Sequence, residues 1–147
     1  MRKPSLALAL LLTACTGAAH AAAYVMERDP GCPCCVEWAE HVEKELGVEI
    51  VMRDRPESGA ATAHEEHVPA MLISCHSMEV DGYIIEGHVP AREIARLLRE
   101  RPEGVEGLSV AGMPAGSTGM EVAGGVTQPY QVIAFGTGKP IIFASYP

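Results

Sequence analysis

Three thiols fall within four residues at Cys32-Pro33-Cys34-Cys35, and a fourth follows at Cys75. Thiolates select soft ions, Cu(I) above all, and also attack disulfides, so two chemistries compete at this motif. Cys32 and Cys35 have the C-x-x-C spacing of thiol redox proteins. Cys34 does not belong to that scheme. Its neighbour Cys35 is a poor disulfide partner, because bridged Cα atoms normally sit ~4.4 to 6.8 Å apart and adjacent residues near ~3.8 Å. Adjacent thiolates are better suited to bridging several soft ions, which points to a polynuclear Cu(I)-thiolate cluster. A closed four-thiolate zinc site is disfavoured, since structural zinc draws ligands from spaced C-x2-4-C pairs. An iron–sulfur cluster fits the ligand count but suits an exported, crowded motif less well. Thiol–disulfide exchange through Cys32 and Cys35 remains the alternative, although Cys34 and Cys75 would be off-pathway partners.

Other soft or borderline donors accompany the thiols. Met113 and Met120 lie in a Gly-rich stretch without helical periodicity, so they read as thioether ligands or as packing residues. His88 precedes Val89-Pro90 at a helix start, where it can ligate or simply hydrogen-bond. His76 sits on an alternating strand and can face either side. His64 and His67 form an i, i+3 pair that reads as a solvated helix face before it reads as a divalent-ion site.

The elements that must position these groups are legible in outline. Tyr24–Met26 reads as a strand, Asp29-Pro30-Gly31 as a turn, and Pro33 as the first turn of a helix carrying Val36, Trp38, Ala39, Val42 and Leu46 to Gly47. The cysteine motif therefore straddles a strand-to-helix junction, where free N–H groups favour thiolate. Val48–Met52 is a second strand, and a short helix is expected through Ala60–Glu66. His76–Val80 and Tyr83–His88 flank Asp81-Gly82, a strong hairpin signal, and Pro90–Arg101 is an amphipathic helix. A different register, with Met71–Ser74 as the third strand after Val68-Pro69, stays open. The order β-α-β-α-β-β-α is that of an α/β, thioredoxin-like fold, in which Cys75 faces the three-cysteine motif. Residues 103–129 read as an irregular loop and Tyr130–Phe135 with Pro140–Tyr146 as a terminal hairpin.

Before these elements, Arg2 and Lys3, an apolar run over Ser5–Ala14 and Ala19-His20-Ala21 form an export signal over residues 1–21. Leu12-Thr13-Ala14-Cys15 also resembles a lipobox that would lipidate Cys15. Residues 22–102 are then the thioredoxin-like domain and 103–147 an extension completing the metal site. The formal charge of −8 becomes more negative once Arg2 and Lys3 are removed. That excludes nucleic acid and anionic membrane surfaces as partners. No later segment is apolar enough to span a bilayer, and the mature chain is expected to be a monomer.

Four ordered motifs give the chain a resemblance to a known family. They are Asp29-Pro30-Gly31-Cys32-Pro33-Cys34-Cys35, Ser74-Cys75-His76, Asp81 to Pro90, and Gly112-Met113-Pro114 to Gly119-Met120-Glu121. Together they are similar to the CopG-type exported copper-resistance proteins of Gram-negative bacteria, which carry a C-x-C-C motif. The resemblance spans nearly the whole mature chain. It implies a periplasmic thioredoxin-like domain, a C-terminal extension that helps bind copper, and a redox role in copper handling. The implied ligands are Cys32, Cys34, Cys35 and Cys75, with His88, Met113 and Met120 as weaker donors. A copper efflux system or a periplasmic electron donor is the implied partner. Pro33 departs from the Gly usual at that position, and residues 55–70 match poorly, so nothing carries over to His64 or His67.

Overall fold

The structure, a computed structural model, describes residues 23–56 and 65–147. The expected export signal, Cys15 and His64 lie outside the described residues, as does most of the expected Ala60–Glu66 helix. The element order is β1 (Ala23–Arg28), α1 (Pro33–Leu46), β2 (Glu49–Asp54), two single 3-10 turns, β3 (His76–Val80), β4 (Tyr83–Gly87), α2 (Ala91–Glu100), β5 (Val105–Val110), β6 (Tyr130–Gly136) and β7 (Ile141–Tyr146). All seven strands join one mixed sheet in the order β2-β1-β3-β4-β5-β6-β7.

Local chemistry accounts for the helix ends. Pro33 stands in the first turn of α1, where a missing N–H costs nothing, and Gly47 closes it in the left-handed region. In the hairpin between β3 and β4, Asp81 and Gly82 both have positive φ, 48° and 83°, as a tight two-residue turn requires. Strand β3 occupies His76–Val80, and Ala70–Leu72 is a 3-10 turn, so the register with a strand over Met71–Ser74 is excluded.

The β3–β4 hairpin is antiparallel as expected from Asp81-Gly82; β1 is parallel to β2 and antiparallel to β3. The remainder differs. Residues 103–129 contain strand β5, which pairs parallel with β4, so β4-α2-β5 is a second crossover unit beside β1-α1-β2. The short sequence of β5 carries Gly107, which weakens the strand signal. Tertiary contact explains that glycine, because a Cβ there would collide with the Ile84 carbonyl and the Phe135 ring.

One face of the sheet carries a continuous buried row in register, Met26, Met78, Ile85, Leu108 and Ala134. Trp38 and Val42 of α1 and Ile94 and Leu97 of α2 cover it. The opposite face is capped locally by Val68 and Leu72 against Ile84 and Phe135. Helix α2 also clasps the last strand: the Arg96 guanidinium donates to the Phe143 carbonyl at 2.7 Å, and Tyr146 donates to Glu93 at 3.0 Å.

Because Leu108 belongs to this shared core, Leu108→Ala should lower unfolding free energy by roughly 2–5 kcal/mol. Urea denaturation should show one transition shifted for tryptophan fluorescence and far-UV signal alike. Unchanged Trp38 fluorescence melting would mean that the strands after α2 unfold separately.

Candidate metal centre

The carboxyl ends of β1, β4 and β5 and the start of β3 meet at one edge of the sheet, the usual place for ligands in α/β sheets. Each supplies part of the site. The turn after β1 delivers Cys32 to the N-cap of α1, and Cys34 and Cys35 follow in its first turn. No side chain caps that helix start, so its backbone N–H groups and dipole face the sulfurs. Cys75 directly precedes β3, and its carbonyl accepts from the Asp29 N–H at 2.9 Å, which ties it beside the turn. The expected juxtaposition of Cys75 with the motif is what the structure has.

Cys32 and Cys35 are joined as a disulfide, with Cα atoms 5.5 Å apart, while Cys34 and Cys75 are free. The sulfurs of Cys32 and Cys34 lie 3.3 Å apart and those of Cys35 and Cys75 3.6 Å apart. All four lie within 4.8 Å of one another. Two thiolates on one tetrahedral ion with metal–sulfur bonds of ~2.3 Å would be about 3.8 Å apart, close to the Cys35–Cys75 separation, whereas the bonded Cys32 and Cys35 sulfurs become thiolate ligands only once their disulfide is opened.

The stretch after β5 folds back over this edge. The Met113 thioether is 3.9 Å from the Cys34 thiol, and Met113 is 54% exposed, so it stands at the mouth rather than in the core. Met120 is half-buried and closes a turn in which Gly116 N–H donates to its carbonyl. Among the described residues it is Met113, of the two thioethers, that is placed against a cysteine. Gly119 lets the segment lie on α1, since a Cβ there would come within 2.6 Å of the Trp38 nitrogen and 2.8 Å of the Cys34 carbonyl.

Behind Cys75 stand two imidazoles. His88 Nδ1 is 2.8 Å from the Thr118 carbonyl. A carbonyl only accepts, so Nδ1 carries the proton and the lone pair is on Nε2, which is 3.6 Å from Cys75 Sγ. His76 Nδ1 lies 3.5 Å from the same sulfur, and its ring is wedged between Trp38 at 4.4 Å and His88 at 5.1 Å. Sequence reasoning left the direction of His76 open. Its two-residue phase with the buried Met78 and Val80 is the signal that places it inward. The Thr118 carbonyl and the Glu86 carboxylate, which accepts from the Ser74 N–H at 2.6 Å, had no sequence signal at all.

Electrostatics divides the site. Burial, then the neighbouring Cys34, pushes the Cys75 thiol up to about 11. Burial also holds His88 below the ordinary histidine range, and burial followed by His88 and Arg55 lowers His76 to about 3. Both rings are therefore neutral near pH 7. His67 is exposed in its 3-10 turn and belongs to neither candidate ligand group. A groove of about 580 Å³ along Pro114, Tyr130, Ile133 and Tyr146 contributes neither sulfur nor imidazole.

The fold and this edge define an α/β protein with a cluster of cysteines close enough together to be candidate ligands of one metal ion. Residues 72–120 match a family model described as a protein of unknown function, DUF411. Two solved structures are similar over nearly their full length. One, "Copper resistance protein copG, Form 1", has a TM-score of 0.76 and 34% identity, covering 87% of this chain and 99% of that one. The other, Form 2 of the same protein, has a TM-score of 0.74 and 35% identity, covering 85% and 98%. No curated protein matches. The chain belongs to the CopG family of copper-resistance proteins. Among the described residues no helix is long and apolar enough to cross a membrane.

The lowered His76 pKa gives a stability test. Its folded value, about 3, is below the unfolded 6.5, so between those pH values the unfolded chain binds more protons. Stability of the metal-free protein should be full above pH 6.5 and fall as pH drops toward 3. Chemical denaturation across that range should show the loss, and His76→Phe should flatten it.

Proposed function

We propose that this chain is a periplasmic copper-binding protein of copper resistance. It binds Cu(I) at Cys32, Cys34, Cys35 and Cys75, with His88, Met113 and Met120 as further donors. The observation that carries the reading is the convergence of four cysteine sulfurs within 4.8 Å of one another at an uncapped helix N-terminus. Sulfur donors favour Cu(I), and adjacent Cys34 and Cys35 favour bridging, so the cluster holds more than one ion. The imidazoles make Cu(II) accessible, and the protein interconverts the two states.

With Cys32 and Cys35 joined, two of the four thiolates are withheld. Two electrons and two protons open the bond to two thiols, which then lose their protons to the metal. Loading with Cu(I) is thereby coupled to a periplasmic electron donor, and release serves a copper efflux system.

The Cys32–Cys35 disulfide at the start of α1 also favours a second reading, a thiol–disulfide oxidoreductase. Under that reading the metal-free protein, once a small dithiol has opened the Cys32–Cys35 bond, passes those two electrons to insulin disulfides and is re-oxidised, and Cys34→Ser preserves the activity.

Anaerobic titration of the fully reduced protein with Cu(I) against a competing chelator should saturate above one ion per chain. Cys75→Ser should weaken binding by at least about tenfold, the scale on which even outer partners of a metal matter. Saturation at one equivalent would remove the polynuclear cluster. Absence of binding, together with robust insulin reduction, would leave the oxidoreductase.

A further inference from the structure

We infer that Arg55, a residue outside the donor set, is a positioning residue of the cysteine edge: its guanidinium clamps the turn that carries Cys32 to Cys35 onto the segment that carries Cys75. The inference deepens the Cu(I) reading, and only the metal arm of its test rests on that reading.

The clamp is set by the sheet. Arg55 directly follows β2, and its N–H donates to the Arg28 carbonyl at 2.8 Å, so the end of the β1–β2 pairing fixes where the side chain starts. From there Nη1 donates to Asp29 Oδ1 at 3.3 Å and to the Ser74 carbonyl at 3.4 Å. Asp29 opens the turn that delivers Cys32, and Ser74 immediately precedes Cys75. Strands β2 and β3 are not neighbours, since β1 lies between them. Arg55 therefore reaches past the end of β1 and ties both sulfur-bearing stretches to the edge strand. The bond from the Asp29 N–H to the Cys75 carbonyl, 2.9 Å, runs beside this junction. Across it the Cys35 and Cys75 sulfurs lie 3.6 Å apart.

Stability alone does not account for so buried an arginine. Its side chain is 11% exposed, while Asp29 is 54% exposed, and an ion pair with one partner in water contributes little to folding. Geometry is what the guanidinium adds, because its planar fork holds two acceptors in fixed directions, which an ammonium on a flexible stem does poorly. The clamp uses no sulfur, so it is the same whether Cys32 and Cys35 are joined or open. Four thiolates also outweigh the charge of any smaller number of Cu(I) ions, and their mutual repulsion would drive Cys75 away from the turn unless the backbone were held. The charge of Arg55 is felt at this place, being a cause of the low His76 pKa after burial and His88.

A metal-free measurement of proximity tests the clamp. Cys32→Ser with Cys34→Ser leaves Cys35 and Cys75 as the thiols of residues 22–147. Equilibration with oxidised and reduced glutathione, which takes the two electrons, gives the effective concentration of one thiol at the other. Adding Arg55→Gln should lower that value by at least about tenfold, the scale on which outer partners of a metal site matter. Far-UV and Trp38 fluorescence confirm that the variant is folded, and Arg55→Met, which keeps the apolar stem, repeats the test if the first unfolds early. Arg55→Lys should fall between the two. Arg99→Gln, on the exposed side of α2, should change nothing. No Cys35–Cys75 bond in the parent, an unchanged value in folded Arg55→Gln, or an equal drop in Arg99→Gln overturns the clamp; full recovery by Arg55→Lys overturns the bridging role of the fork. In otherwise wild-type, reduced protein Arg55→Gln should also weaken Cu(I) binding by at least about tenfold. Failure of the wild type to bind Cu(I) removes the copper reading, whereas the thiol measurement still decides the clamp.

Discussion

Trp38 is the side chain on which the arrangement depends. It is fully buried, the bulkiest of the fully buried residues, and lies one turn beyond the cysteines of α1. Its indole N–H donates to the Val89 carbonyl at 2.9 Å, and its ring packs on His76. One residue therefore fixes the height and rotation of α1 against the start of β3 and the β4–α2 connection. A buried indole must satisfy its N–H, so the helix cannot slide without losing both the bond and the packing. Cys34, Cys35, Cys75 and His88 inherit their separations from that anchor.

The edge it organises holds two different environments a few ångströms apart. At the uncapped start of α1 the sulfurs gather, with Cys34 open toward the Met113 thioether. At half-buried Cys75 and the two buried histidines, burial favours neutral forms. A metal ion changes that balance, because its charge stabilises a thiolate that solvent no longer reaches. The oxidation state of Cys32 and Cys35 decides how many free thiols this edge offers, while the imidazoles are untouched by it.

The residues after α2 are built into this edge from two directions. Strands β5, β6 and β7 continue the sheet, and α2 holds the last of them through Arg92, Glu93 and Arg96. The connection between β5 and β6 returns across the site, carrying Met113, the Thr118 carbonyl and Gly119 to α1. Ordering so irregular a segment costs roughly 1–2 kcal/mol per residue in backbone entropy. Contacts such as Gln128 N–H to the Ala115 carbonyl and His41 to Glu121 at 3.7 Å offset part of it.

Much of this was written in local sequence. Cys32 to Cys35 at a strand-to-helix junction, Pro33 and Gly47 as helix punctuation, and the Asp81-Gly82 turn between β3 and β4 are all short-range signals, and each element formed where the pattern placed it. The nature of the donors, and hence the preference for soft ions, is a property of residue type alone. Tertiary structure decided the rest. Strand β5 forms because Gly107 is pressed between Ile84 and Phe135, partners far away in sequence, and no local preference reveals that pairing. His76 becomes part of the site because Trp38 and Cys75 surround it, and Thr118 matters only through a carbonyl that every residue possesses. Composition names which atoms can bind a metal; the long-range packing of α1 and the returning segment sets which of them meet.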